Sequence, residues 1–175
     1  HFELKKFADQ SNIEFLSSPF SLERAKFLCE ELGLRKIKIA SGMMLNIKML
    51  DYLNSTNIDT IFLSTGMSTL HEIEEVLKHI NNIPDIYLLH CTTQYPSKDE
   101  DANLKAILTL QKEFNLPVGY SDHTLGIDAC VSAVTLGASV IEKHFTLDQS
   151  LPGRDNKFAI LPHELKDLSD YIKLR

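Results

Sequence analysis

Residues 117–124 read PVGYSDHT, an apolar start followed by serine, aspartate and histidine in succession. A short apolar run that ends in ionisable side chains is the pattern of a buried strand whose C-terminal end carries chemistry. Five other stretches repeat it: IEFLSSPF at 13–20, IKIAS at 37–41, IFLSTG at 61–66, IYLLHCT at 86–92 and SVIEKHF at 139–145. Their ends, at Ser18, Ser41, Ser64, His90, Ser121 and His144, recur at intervals of roughly 23 to 31 residues, the length of a strand, a helix and two loops. Repeated βα units are the consequence. In a barrel of parallel strands the loops beyond the strand C-termini build the active site, so polar residues recurring there read as ligand contacts. The expected fold class is therefore α/β, about six βα units of a barrel of parallel strands.

Helix period and capping chemistry fill the intervals. Leu22, Ala25, Leu28, Cys29 and Leu32 form one apolar stripe that begins after Pro19-Phe20-Ser21 and stops at Gly33. Asn46 can cap a helix carrying Ile47, Met49, Leu50 and Leu53. Thr69 and Glu72 have the spacing of a capping box ahead of Leu70, Ile73, Val76, Leu77 and Ile80. Further helices follow Asp101, with Leu104, Ile107, Leu108 and Phe114, and Gly126, with Ala129, Val131 and Val134 before Gly137. Pro162 opens a last helix through Leu165, Leu168 and Ile172, expected to run to Arg175. Phe2 to Asp9 already resembles the middle of a helix and His1 is not an initiator methionine, so strands are expected to precede this segment.

The 175 residues, 43% hydrophobic, suffice for one substantial core, so one domain spanning 1–175 is expected. Net charge is −6 and the basic residues are interspersed with acidic ones, which argues against a nucleic-acid partner. The longest apolar stretches are strand-sized, short of the ~20 residues of a membrane span, and no basic leader precedes one. Cys29, Cys91 and Cys130 are widely spaced in apolar surroundings and read as reduced thiols of a cytoplasmic protein.

His123 and His144 lie at the ends of two successive strands, where neighbouring imidazoles could reach one metal ion. Each can equally be a hydrogen-bonded loop histidine. Lys38 interrupts the apolar run IKIA; it either meets an anion or carboxylate, or snorkels on the barrel exterior. Ser18, Ser41, Ser64 and Ser121 each close a strand, with Gly42 and Gly66 allowing close backbone approach. Hydroxyls and N–H groups converging with Lys38 suit a phosphate or carboxylate, although a single such serine is an ordinary turn residue. The polar stretch 147–157, LDQSLPGRDNK, could fold over the site or be a solvated connection.

Taken in order, KIASG at 38–42, LSTGM at 63–67, LLHCTTQYP at 88–96, GYSDHTLGI at 119–127 and EKHFTLDQSLPGRD at 142–155 closely resemble the sialic acid synthases. That family includes the N-acetylneuraminate, legionaminic acid and pseudaminic acid synthases. The resemblance covers essentially the whole chain. It implies a (β/α)8 TIM barrel represented from about its third strand to its eighth, with the first two strands and a C-terminal antifreeze-like domain lying outside the segment. It also implies a condensation of phosphoenolpyruvate with an N-acylated amino sugar aldehyde, of the N-acetylmannosamine type. The product is a nine-carbon 2-keto acid, and phosphate leaves by C–O cleavage. In such enzymes two histidines matching His123 and His144 hold manganese or magnesium. Ser18, Lys38, Ser41, Ser64 and Ser121 match phosphoenolpyruvate contacts, and Tyr95 and Asp155 match residues that hold the sugar. A homodimer is the implied assembly.

The chain departs from the family pattern at several places. Met43 stands where a sugar-contacting glutamate is common, Thr93 where some members have asparagine, and Arg154 and Asn156 where proline and histidine are common. Two other classes fit parts of the pattern. A Schiff-base aldolase would use a strand-end lysine such as Lys38 but leaves the histidines unexplained. A non-catalytic barrel acting only in assembly would need none of these groups.

Overall fold

Lys36 and Lys38 alternate with the fully buried Ile37 and Ile39, and in the computed structural model, which describes residues 1–174, they form the strand β1, Lys36–Ile39. The chain divides into two compact units. The first comprises His1–Leu63 and Ser68–Ile86, and the second comprises Ser64–Met67 with the chain from Tyr87 onward.

In the first unit, helix α1 spans Phe2–Gln10, α2 spans Leu22–Lys26, and α3 spans Ile47–Asn54. Strand β2 is Thr60–Ser64 and helix α4 is Leu70–Lys78. β1 and β2 pair in parallel, with Ile37 opposite Ile61 and Lys38 opposite Phe62. Ile37, Ile39, Ile61 and Leu63 form a core with Met49, Leu50 and Leu53 of α3 and Ile73 and Val76 of α4. The caps sit where local chemistry demands them. Ser21 accepts from the Arg24 N–H, Asn46 accepts from the Met49 N–H, and Thr69 and Glu72 complete a reciprocal capping box.

In the second unit, β3 is Asp85–Cys91, whose first two residues still belong to the first unit, and β4 is Val118–Asp122. Strand β5 is Ile141–Lys143. Helices α5 (Ala106–Phe114), α6 (Asp128–Thr135) and α7 (Pro162–Lys173) complete it. β3 pairs in parallel with β4, and β4 with β5. Helices α5 and α6 pack on β4, and α7 packs on α6. Leu88, Val118, Tyr120, Ile107, Cys130 and Ala133 fill this core. Helical crossovers between parallel strands confirm the α/β class expected from the βα alternation.

Three expectations change. Five strands form among the described residues, not six: Ile13–Phe20 is not a strand. Its Ser17 carbonyl accepts one bond from the Lys38 N–H at 3.2 Å, Pro19 has no N–H to donate, and Ile13 remains 65% exposed. The helix expected from Leu22 to Leu32 starts at its Ser21 cap but widens into a π-helical turn over Phe27–Glu31 before Gly33, which adopts φ +64°. Helix α5 begins at Ala106, since a separate 3-10 turn occupies Asp99–Asp101. The expected end of the last helix at Arg175 lies outside the described residues. The cysteines are free thiols, and among the described residues no helix is long and apolar enough to cross a membrane.

Candidate active site

The alternation of side chains along a strand sorts the ends of β4 and β5 onto two faces. Ser121 and, just past the end of β4, His123 fall on one face, and Glu142 and, just past the end of β5, His144 fall on the corresponding face. In parallel register Ser121 lies opposite Glu142, and the Ser121 hydroxyl donates to Glu142 Oε1 at 2.6 Å. Two residues further on, the His123 and His144 rings lie with centroids 5.5 Å apart. Asp122 and Lys143 take the opposite face and form an ion pair at 2.6 Å.

His123 is held tightly. Its Nδ1 lies 2.8 Å from the Thr92 carbonyl, which can only accept, so Nδ1 carries the proton and Nε2 keeps a lone pair. Burial lowers the pKa of this imidazole below the ordinary 6.5; the Thr92 bond opposes that shift and nearby His144 reinforces it. The neutral form needed for metal ligation is thus favoured. The His123 carbonyl in turn accepts from the Ser97 N–H at 2.8 Å.

Tyr95 lays its ring against His123, with centroids 4.0 Å apart, and meets His144 edge-on at 5.8 Å. Burial raises its phenol pKa. The loop after β5 returns to this face. Its Asp155 carboxylate lies 3.7 Å from His144 Nδ1, and Phe158 packs edge-on against the same imidazole at 5.1 Å. The loop is pinned where it rejoins the core, because Ile160 bonds both the His144 carbonyl and the Thr146 N–H. Tyr95, His144, Arg154, Asp155 and Phe158 line a cavity of about 510 Å³. A carboxylate, a guanidinium, an imidazole and two aromatic faces suit a polyhydroxylated molecule with apolar patches.

Of the residues singled out from the sequence, His123, His144, Tyr95, Asp155 and Ser121 come together in the second unit. Ser64 belongs to the same unit, and its hydroxyl is buried with no hydrogen-bond partner among the described residues. Ser18, Lys38 and Ser41 belong to the first unit. Lys38 is half-buried on the β1 face opposite Ile37 and Ile39, Ser41 begins the turn after β1, and Ser18 lines a cavity of about 350 Å³ with Phe20, Arg24 and Phe27. The sequence reading passed over Phe158, Glu142, Asp122 and Lys143. Sequence position could have flagged Asp122 beside His123, Lys143 beside His144 and Glu142 two residues before His144, but their pairings exist only once the strands have a register.

The donor set suits a divalent cation. Two imidazoles supply nitrogen ligands, and no third histidine, cysteine or carboxylate joins them within one ion's reach among the described residues. A centre built on them keeps several positions open for oxygen ligands. The only three-ligand cluster there is His71, Glu74 and Glu75, exposed on α4.

Comparison with known proteins gives this geometry its context. A model of the NeuB family matches residues 1–174, which includes all five strands and the histidine pair. The chain belongs to the NeuB family. It is 49% identical to the N,N'-diacetyllegionaminic acid synthase of Campylobacter jejuni over 99% of its own length and 52% of that protein's. To the enzyme of the same name from Legionella pneumophila it is 44% identical, over 99% and 50%. The crystal structure of N-acetylneuraminic acid synthetase from Leptospira borgpetersenii, in complex with citrate, superposes with a TM-score of 0.92. That match has 36% identity and covers 98% of this chain and 60% of that one. The chain spans about half the length of the curated relatives it matches.

Proposed function

We propose that the intact protein condenses phosphoenolpyruvate with the open-chain aldehyde of an N-acylated amino sugar. A new C–C bond forms between the enol methylene carbon and the aldehyde carbon, and water adds at the enol-ether carbon. The C–O bond to phosphate then breaks, giving a nine-carbon 2-keto acid and inorganic phosphate. The observation that carries this reading is the pairing of His123 with His144 beside Tyr95 and Asp155, in a chain of the NeuB family.

His123 and His144 would hold a divalent ion, manganese or magnesium, which when bound supplies Lewis acidity toward the aldehyde oxygen. The protein's own groups do the rest. Thr92 fixes the His123 tautomer, so that Nε2 faces the reaction space as a lone-pair donor. Tyr95 and Asp155 hold the sugar, whose hydroxyls need polar partners. Ser18, Lys38, Ser41, Ser64 and Ser121 are assigned to the phosphate and carboxylate of phosphoenolpyruvate. The buried, unpartnered hydroxyl of Ser64 supports this, because leaving such a group unsatisfied costs about 1–3 kcal/mol and an anionic ligand would satisfy it. The Ser121 hydroxyl donates to Glu142, so contact with an anion requires that hydroxyl to rotate. Met43 stands where a sugar-contacting glutamate is common in the family, and its thioether is a poor acceptor.

The assembly is proposed to be a homodimer in the cytoplasm, where its three thiols stay reduced. The remaining length is proposed to hold the first barrel strands and an antifreeze-like domain.

The test uses the intact protein, manganese and phosphoenolpyruvate labelled with oxygen-18 at the bridging position, with a panel of N-acylated amino sugars. A sugar with two N-acetyl groups heads the panel, in line with the product name of two relatives. Sugar-dependent phosphate release, with the label in the phosphate, is expected. Label retained in the keto acid, or no release with any N-acylated sugar, would sink the proposal.

A further inference from the structure

Directly behind the histidine pair lies a buried polar cluster to which the proposed chemistry gives no part. Asp122 and Lys143 face each other in the β4–β5 register, with side chains 0% and 4% exposed. Lys143 Nζ donates to Asp122 Oδ2 and to the Thr124 carbonyl, both at 2.6 Å. Asp122 Oδ1 accepts the Thr124 N–H at 2.9 Å, and Oδ2 accepts the Thr124 hydroxyl and the Cys130 thiol, each at 3.1 Å. Every one of these groups adjoins a candidate ligand or anchors one that does. Asp122 precedes His123, Thr124 follows it, Lys143 precedes His144, and Cys130 ties the cluster to α6.

We propose that the Asp122–Lys143 pair is a positioning device, a register lock that holds His123 and His144 on the same face at the spacing one metal ion requires. The inference rests on the metal reading above. Its physical basis is that little else in β5 specifies register. The strand has three residues, its one apolar member Ile141 is only half-buried, and Glu142, Lys143 and His144 are consecutive polar residues, so apolar alternation sets no phase. A slip of one residue would turn His144 to the helix-facing side. The buried charge pair opposes that slip strongly, since the slip carries Lys143 to the other face and leaves the Asp122 carboxylate unpaired in the core. Buried ion pairs are weak contributors to net stability, and setting register is their best-attested use. The Asp122 side chain also closes an Asx turn onto Thr124, which fixes the backbone on both sides of His123.

The experiment compares the intact wild-type protein with Lys143→Met and with the double variant Asp122→Leu/Lys143→Met. The double variant removes both buried charges together and should recover much of the thermal midpoint lost in the single one. Manganese binding to each is read by electron paramagnetic resonance, and the exchange-protected Nδ1–H signal of His123 by NMR. Both variants should bind manganese roughly 10- to 100-fold more weakly, as loss of a ligand's supporting partner does. The double variant should do so even with its stability restored. A folded double variant with wild-type manganese affinity would overturn the lock and leave the pair a purely structural element. If neither Met variant folds, Thr124→Val, which removes one donor to Asp122, serves instead: weakened binding supports the lock and unchanged affinity overturns it. If the wild-type protein binds no manganese, the metal reading fails by itself. The lock is then judged on the His123 signal, whose persistence in the double variant refutes it.

Discussion

At Gly119 the backbone of β4 comes so close to its neighbour that no side chain fits. A Cβ built there would lie 2.6 Å from the Val140 carbonyl oxygen, 2.7 Å from Leu89 Cδ2 and 2.8 Å from Val140 Cβ. Backbone cannot retreat as a flexible side chain can, so Gly119→Ala must push β4 and the residue before β5 apart. Overpacking of this kind costs about 1–3 kcal/mol, to be read as a lower urea midpoint at unchanged slope. Because β5 carries Lys143 and leads directly into His144, the same variant should also weaken manganese binding. A variant as stable as wild type would show that this contact yields freely. Tyr95 offers a second test at this scale. Its ring packs on His123 while its hydroxyl is assigned to the sugar, so Tyr95→Phe keeps the packing and removes one hydrogen bond. A net bond of about 0.5–1.5 kcal/mol predicts a sugar KM raised roughly two- to tenfold, with the KM for phosphoenolpyruvate unchanged. A shift in the phosphoenolpyruvate KM alone would count against assigning Tyr95 to the sugar.

Among the elements, α3 depends visibly on one cap. The Asn46 side chain accepts the Met49 N–H at 3.2 Å, and the helix it starts buries Met49, Leu50 and Leu53 completely. Asn46→Ala should cost about 1 kcal/mol by chemical denaturation, whereas Leu50→Ala, which opens a cavity, should cost about 2–5 kcal/mol. Equal losses would contradict this division between cap and core. The cap at Asn46, the capping box at Thr69 and Glu72, Pro162 at the first turn of α7 and the positive φ of Gly33 and Gly137 were all legible in the sequence. Each is satisfied within a few residues of chain, so local sequence suffices to specify it. Five of the six expected strands form for a related reason, since an apolar run bounded by turn residues carries its own signal. Ile13–Phe20 has the same apolar look, but a strand exists only through its ladder, and Pro19 and a single bond to Lys38 do not make one. The π-helical turn at Phe27–Glu31 was equally invisible, because α and π turns draw on the same apolar residues. In the site, motif spacing pointed to His123 and His144. The Asp122–Lys143 pair was missed because it exists only once two strands have a register.

On the scale of the molecule, these buried groups set how stability responds to acid. His90 is buried, donates from Nε2 to the Ala102 carbonyl at 2.8 Å, and stacks on Tyr120. Burial lowers its pKa below 6.5, as it does for His123. In the unfolded chain both titrate near 6.5, so below that pH the unfolded state binds protons that the folded state still refuses. The stability from keeping them neutral is therefore fully present above 6.5 and is lost as pH falls through their lower folded values. Each histidine contributes a slope of at most about 1.4 kcal/mol per pH unit. Asp122 adds a second, more acidic step. Burial alone would raise its carboxyl, but the Lys143 ammonium and the Thr124 and Cys130 donors bring it below 3.8, so its contribution is present above 3.8 and disappears as pH falls through the folded value. Net charge works the other way at first. The chain carries −6 at pH 7 and its isoelectric point is near 5.6, so self-repulsion shrinks as the medium moves from pH 7 toward 5.6. Urea denaturation of metal-free protein from pH 7.5 to 5 separates the two effects, because salt screens surface repulsion far more than it screens a buried imidazole. At high salt stability should fall below pH 6.5, and His90→Phe should flatten that fall by removing one of the two protonations. A high-salt profile that stays level from pH 7 to 5 would mean that neither histidine is held neutral by the fold.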